Sequence, residues 1–351
     1  MRTSPSDGGF TLIELMIASM ITLVVMGVAF STFDNALALN EAATQISDSS
    51  QNLRAGTNLL IRDLMQTGRN LPIGGIAIPS GDGSTAIYRP GPANQTYTFD
   101  NTDATTITSI TTGNGMGPTV KGNATDLVTI LMDDPQLDPL TVYPSTTSGT
   151  VAKLAADGSS FNVGASTAWL AGNPAQGVSP IKVGDLIYFS AAGGTTIQTV
   201  TAVTTTVVTF GTDPFNFNQR GAEAGSITQI LGSTMTARRI FMYTYFVYEE
   251  TAGVPRLMRM LNMYPASALA GVIEDLDLDY DIVDGVNNPT DIAQLPYTAN
   301  SVTSTASQIR KATVHVGVRS EFISTRTKDY LRNHLSTVVA LRNLAYVDRY
   351  Q

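Results

Sequence analysis

Four aspartates at alternate positions, Asp275, Asp277, Asp279 and Asp281, are the densest set of potential ligands in the chain. On a β-strand, side chains two apart share a face. All four carboxylates are therefore expected to project together while Leu276, Leu278, Tyr280 and Ile282 face a core. Stacked carboxylate oxygens suit calcium, which takes six to eight oxygen ligands. The EF-hand spacing fails, because counting from Asp277 the sixth position needs glycine and Ile282 stands there. The plainer reading is a solvated, self-repelling face that discourages edge-to-edge pairing. No cofactor is expected, calcium on these four aspartates being the one alternative left open. Asp133-Asp134 and Asp284-Gly285 read as turn residues. His315 alternates with Val314 and Val316 and so points away from the face of those valines, whereas His334 lies in a polar stretch with Arg332 and Asn333. With two histidines and no cysteine, a zinc site would need unusual carboxylate help. A serine–histidine–aspartate triad is compatible with the composition, but no nucleophile-elbow sequence accompanies one. No enzyme activity is expected.

One further carboxylate stands out by its surroundings. Glu14 opens an apolar run, and no charge follows it from residue 15 to residue 33. As a helix that run is about 28 Å long, close to the thickness of a bilayer's hydrocarbon core. It is apolar all round, as a lipid-facing helix requires. Arg2 precedes the span, and Asp34, Glu41 and Asp48 follow it. The charge asymmetry places the N-terminus in the cytoplasm and the bulk of the chain across the membrane. A carboxylate at the hydrocarbon edge is costly and is usually functional and paired.

A short polar leader ending in Gly8-Gly9, then Phe10, then Glu14 at the head of the apolar run (GGFTLIEL) resembles the N-terminus of type IV pilin precursors. The resemblance implies cleavage by prepilin peptidase after Gly9, N-methylation of the new N-terminal Phe10, and a role for Glu14 in subunit assembly, where it meets the N-terminal amine of a neighbouring subunit. A secretory signal is the alternative. Ala36 and Ala38 imitate its cleavage site, but Glu14 stands where such a signal prefers basic residues.

The elements that would carry these groups follow from periodicity. Ile46, Leu53, Leu60 and Leu64, with Ala43 and Ala55 nearby, continue a helical stripe, and Gly68 and Pro72 mark its end. One helix of about 87 Å is expected from Phe10 to Thr67, with Gly27 and Gly56 as its only weak points. The fold class is α+β: a long N-terminal helix, membrane-spanning in its first half, packed on an antiparallel sheet with a β-rich insertion. The expected divisions are a leader (1–9), the membrane and assembly half of the helix (10–33), its amphipathic half (34–68), a loop with first strands (69–140), the insertion (141–232), and the main sheet with the C-terminal region (233–351). Residues 125–132 read as a buried strand. Residues 197–203 and 205–210 alternate in the β period beside turns at Gly184-Asp185 and Gly193-Gly194. A small barrel and an extension of the main sheet are equally good readings of 141–232. Residues 239–248, 255–260, 273–282, 309–319, 336–340 and 344–347 supply the main sheet, and 273–282 reads as strictly alternating.

Three inner patches resemble PilW-like minor pilins and, more distantly, the pseudopilin J subunit of type II secretion. They are LLIRDLMQTGRN (59–70), YTYFVYEE with PRLMRM and GVIEDLDLDYDI, and STVVALRN (336–343). The likeness implies a subunit that primes pilus assembly within a minor-pilin tip complex. Its partners would be prepilin peptidase, other minor pilins, the major pilin, the inner membrane before assembly, and a tip adhesin. A type II secretion pseudopilin and a tip-located adhesin or binding module are the competing functions. A net charge of −8 weighs against nucleic acid as a main partner. Arg310, Lys311, Arg319, Arg326, Lys328, Arg332, Arg342 and Arg349 make the C-terminal quarter basic. The acidic strand is their natural intramolecular partner, and docking of another minor pilin is the sharper reading.

Overall fold

The computed structural model describes residues 9–81, 83–92, 97–99, 104–173, 175, 177–221, 224–251, 253–325 and 327–344. Of the features singled out above, residues 1–8 of the leader, Arg326, Arg349 and most of the strand expected over 344–347 lie outside these residues.

A single uninterrupted helix runs Leu12–Gln66, 55 residues, or about 82 Å at the usual rise. Every residue from 9 to 37 is exposed, so the apolar first half touches nothing else in the chain. It is the one helix among the described residues long and apolar enough to cross a bilayer. Its polar side chains are satisfied locally. Ser19 Oγ donates to the Met16 carbonyl at 2.9 Å, and Thr22 and Thr32 Oγ1 donate to the Ala18 and Val28 carbonyls at 2.8 Å. Each of these three hydroxyls is thereby satisfied within the helix, as a hydrocarbon surrounding demands.

Burial begins only at Ser49 and continues through Leu53, Gly56, Thr57, Leu60, Asp63 and Leu64. Leu53, Leu60 and Leu64 therefore occupy the core, whereas Ile46, Ala43 and Ala55 are exposed. The helical period alone extended the stripe past the turns that the sheet covers. Neither expected weak point breaks the helix. A Cβ on Gly27 would meet nothing, but one on Gly56 would lie 2.6 Å from the Ala270 Cβ. Gly56 is where helix and sheet come closest, and glycine is what permits it. The helix stops at Thr67, after which the Gly68 amide donates to the Leu131 carbonyl at 2.9 Å with the glycine at φ +75°.

The sheet is antiparallel, ten-stranded and built around Met235–Thr251. Because Met235, Ile240, Tyr243 and their neighbours each pair on two sides, Val128–Asp133 and Leu140–Val142 share one edge of this strand. Leu186–Ala191 and Val254–Leu261 share the other edge. Beyond Val254–Leu261 come Ser267–Ile282, Ile309–Arg319 and Arg332–Ala340. The β alternation sorts side chains between two cores. Tyr243, Tyr245, Val247, Leu276, Leu278, Val314 and Val316 pack with the helix leucines. Leu131, Leu186, Ile240 and Met242 pack on the opposite side with Ile76, Ile78 and Phe217. Covered on both faces, Val128–Asp133 is buried at all six positions.

Residues 141–232 divide between the main sheet and a small open sheet, and no barrel closes among the described residues. The hairpin Leu186–Ala191 and Gly194–Thr199 extends the main sheet. Lys153–Leu154, Ser160–Asn162, Val207–Thr209 and Ala202–Val203 make a separate four-stranded sheet. The run expected as one strand over 197–203 thus serves two sheets. Between them lies a second core, in which Phe161 meets Trp169 and Phe189 edge-on, and Phe189 meets Phe210 likewise.

Candidate functional site

Gly9 and Phe10 precede the helix in extended, exposed chain, Phe10 being 89% exposed. Thr11 is the N-cap, and its Oγ1 accepts from the Glu14 amide at 3.3 Å. In return the Glu14 Oε2 accepts from the Thr11 amide and the Thr11 hydroxyl, both at 2.9 Å. This is a capping box, and its Thr-x-x-Glu signature is plain in the sequence although the reading above assigned Glu14 only to subunit contact. The cap secures amides that have no intrahelical partner and starts the helix immediately after Phe10. Both contacts use Oε2, so among the described residues Oε1 has no partner.

At the other end of the helix the three inner patches meet. Asp63, from the first patch, is 3% exposed and accepts from the Tyr245 hydroxyl at 2.6 Å and from Arg259 Nη2 at 2.5 Å. Tyr245 and Arg259 belong to the second patch, directly opposite each other across neighbouring strands. The Arg259 guanidinium also lies 3.7 Å from the centre of the Tyr243 ring. Burial, and then the charge of Asp63, push the Tyr245 hydroxyl well above its ordinary range, so it remains a donor. From the third patch, Asn343 Nδ2 donates to the Thr67 carbonyl at 3.0 Å, and Leu341, with Leu344 just after the patch, joins the helix–sheet core.

Asp133 and Asp134 are not turn residues at the surface. Both are buried: Asp133 pairs with Arg238 at 3.1 Å and accepts from Asn70 Nδ2 at 2.9 Å. Asp134 takes Arg239 through Nε at 2.7 Å and through Nη2. The two arginines flank the start of the long central strand, which brings them beside the end of Val128–Asp133. Asp284 does act as a turn residue, its Oδ1 accepting the amides of Val286, Asn287 and Asn288.

The acidic strand carries Asp275, Asp277, Asp279 and Asp281 away from the core face, where Leu276, Leu278, Tyr280 and Ile282 are buried. Strict alternation fails only upstream, where a bulge between Ile273 and Asp275 turns Glu274 out of step. Glu274 is consequently the hub for the basic residues: Lys121 at 2.6 Å, Arg319 at 2.9 Å and Arg332 at 2.9 Å. Burial pushes its carboxyl up, and the hydrogen bonds from Lys121 and Arg332 outweigh that and hold it below the ordinary carboxylate range. Lys311 pairs with Asp281 at 3.6 Å. Intramolecular pairing therefore takes Lys311, Arg319 and Arg332, and Arg310 and Arg342 stay exposed. Among the described residues no three His, Asp or Glu side chains converge as a metal site would require. Lys311 faces Asp281 and His315 faces Asp279 across the strand boundary.

His315 Nδ1 lies 2.7 Å from Ser336 Oγ, and its Nε2 lies 3.4 Å from Asp279 Oδ2. The row has the order of a catalytic triad, but it lies across the outer surface of three strands with Ser336 exposed, not in a cleft.

A buried carboxylate that sequence reasoning missed sits behind this face. Asp126 accepts from the Gly115 and Leu278 amides at 2.8 and 2.9 Å, closing the edge of the acidic strand. Burial, with Asp277 adding to it, pushes Asp126 up to about 6 against those two bonds. A carboxyl raised in the folded state favours folding when protonated. Its contribution is fully present below about pH 4 and is lost as pH rises through about 6. The unfolding free energy of the detergent-solubilised chain should therefore fall between pH 4 and pH 6.5, by on the order of 1–2 kcal/mol from this group. Asp126→Asn should flatten that slope, as read by denaturant titrations at the two pH values. An unchanged slope would remove Asp126 from the account.

Residues 5–30 match the prokaryotic N-terminal methylation motif. No curated protein and no solved structure matches the chain. The motif indicates a type IV pilin-like or pseudopilin precursor, which prepilin peptidase processes and which assembles with other pilins. The exposed apolar helix fits a membrane-anchored protein of this kind.

Proposed function

We propose that this protein is a minor pilin of a type IV pilus, cut after Gly9, N-methylated on Phe10, and acting to prime assembly within a tip complex. One observation carries the reading: a 55-residue helix whose apolar first half touches nothing in its own chain and whose second half is locked to a sheet by Asp63. A lone helix with that much exposed apolar surface needs lipid or other helices around it. Stored in the inner membrane with its N-terminus cytoplasmic, it would exchange lipid for neighbouring pilin helices on assembly. Support for a minor rather than a repeating subunit comes from the second core at 141–232 and from the PilW-like patches, which make one structural unit around the helix end.

Glu14 enters this reading with two roles. In the free chain it caps its own helix through Oε2. In the fibre its unpartnered Oε1 would meet the Phe10 amine of a neighbour, a charge-assisted bond inside an apolar bundle. Glu14→Ala should leave cleavage intact and reduce incorporation into pili, read by immunoblot of sheared fibres. Full incorporation would exclude the pairing. Deleting the gene tests the function itself. Loss of all surface pili is expected; normal pili with lost attachment would favour an adhesin, and intact pili with exoproteins held in the periplasm a pseudopilin.

A further inference from the structure

Among the described residues three arginines are almost completely buried: Arg89 at 4%, Arg239 at 2% and Arg319 at 4% exposure. Arg239 is paired with Asp134, and Arg319 with Glu274. Arg89 has no carboxylate within salt-bridge distance among the described residues. Its Nη1 donates to the carbonyls of Thr111 and Thr112, both at 3.2 Å, and its Nη2 reaches only the Met116 sulfur at 3.3 Å. Its Nε has no partner at all. Of five N–H donors, the Nε hydrogen, which is sealed from solvent, and one on Nη2 therefore remain unused. Desolvation lowers the guanidinium only to about 10, so it is charged at neutral pH. A buried cation without a carboxylate costs several kcal/mol, offset here only by the two carbonyls and by the Phe99 ring, whose centre lies 5.9 Å from the guanidinium carbon.

The same side chain lines a cavity of about 360 Å³ between the 87–112 region and the 294–306 segment, within the usual size range of small-molecule sites. Ile78, Phe99, Ile107 and Leu295 make its walls, and Arg89 is the only charged residue lining it among the described residues. Two details fit a site rather than a packing fault. A Cβ on Gly113 would lie 2.6 Å from Arg89 Nη2 and 2.5 Å from the Leu127 carbonyl, so the chain keeps that position bare where the guanidinium passes. Met116, whose sulfur covers Nη2, is 38% exposed. A thioether is a weak acceptor on a flexible stem, readily displaced by a carboxylate oxygen.

We propose that this cavity binds a small monocarboxylate with an apolar body, its carboxylate on Nη2 of Arg89 in place of the Met116 sulfur and its body against Phe99, Ile107 and Leu295. A single cation among apolar walls and threonine hydroxyls matches one negative charge, not a phosphate dianion. The site is independent of the helix and of the assembly reading.

Fluorine NMR tests it, with para-fluorophenylacetate titrated onto the full chain in lipid nanodiscs and para-fluorophenylacetamide as the uncharged control. Saturable broadening of the acid is expected, with the amide weaker by about tenfold or more. Arg89→Met should abolish the difference. Ala306→Phe, which fills the cavity and leaves Arg89 in place, should abolish binding while the melting transition stays native. Absence of binding to the wild-type chain, equal binding of acid and amide, or undiminished binding to Ala306→Phe would each overturn the proposal.

Discussion

Replacing Asp63 by alanine is expected to lower the unfolding free energy by about 3–5 kcal/mol, the cost typical of removing one partner from a buried ion pair. Asp63 is the one acceptor shared by a buried tyrosine and a mostly buried arginine. Alanine would leave the Tyr245 hydroxyl facing a void and the Arg259 charge held only by the Tyr243 ring. Tyr245 and Arg259 reach Asp63 from strands of the core that the helix leucines join, so the loss falls on the joint between anchor and sheet. Asp63→Asn keeps an acceptor for Tyr245 but not the charge, and should cost about half as much. Arg332→Ala is the contrast. Its partner Glu274 keeps Lys121 and Arg319, and its own side chain is 36% exposed, so a change of less than about 1 kcal/mol is expected. Denaturant titration followed by circular dichroism separates the three. A loss below about 1 kcal/mol for Asp63→Ala would mean that the cluster is incidental to stability.

The second large effect concerns a residue the fold does not need. Gly9 lies in extended, exposed chain ahead of the helix cap, and a Cβ there would meet nothing within 4 Å. Valine at this position should therefore leave the helix, the capping box and the sheet unchanged. If Gly9→Val nevertheless accumulates as uncut precursor in the membrane, the glycine is required by the peptidase that reads it and not by the structure. Near-complete loss of the processed band on an immunoblot is expected. Gly56 is the opposite case, a glycine demanded by packing against Ala270, and its replacement should impair folding while leaving cleavage alone.

Much of this architecture was legible because its signals are local. Alternation over Ile309–Arg319 and the apolar run of Val128–Asp133 name strands directly, and Gly68 names the end of the helix. Partners are another matter. Residues 197–203 read correctly as β, but nothing in them says that Gly194–Thr199 joins one sheet and Ala202–Val203 another. Asp63, Asp133 and Asp134 were illegible for a physical reason: a charged side chain is read as surface unless the partner that holds it in the core is seen, and Arg259, Arg238 and Arg239 each lie more than a hundred residues away. Glu274 was hidden by its neighbours, since one bulge inside a run of alternating acids leaves no trace in composition. Arg89 carries no sequence signal, because its distinction is the absence of a partner.

The most direct measurement is the intact mass and N-terminal sequence of the chain purified from cells that contain prepilin peptidase. The expected species begins at Phe10, is heavier than the unmodified polypeptide by one methyl group on its N-terminus, and reverts to the uncut precursor in Gly9→Val. A chain that retains residues 1–9 despite an active peptidase, or one cut beyond the apolar run near Ala36 or Ala38, would contradict it and identify the N-terminal segment as something other than a pilin assembly helix.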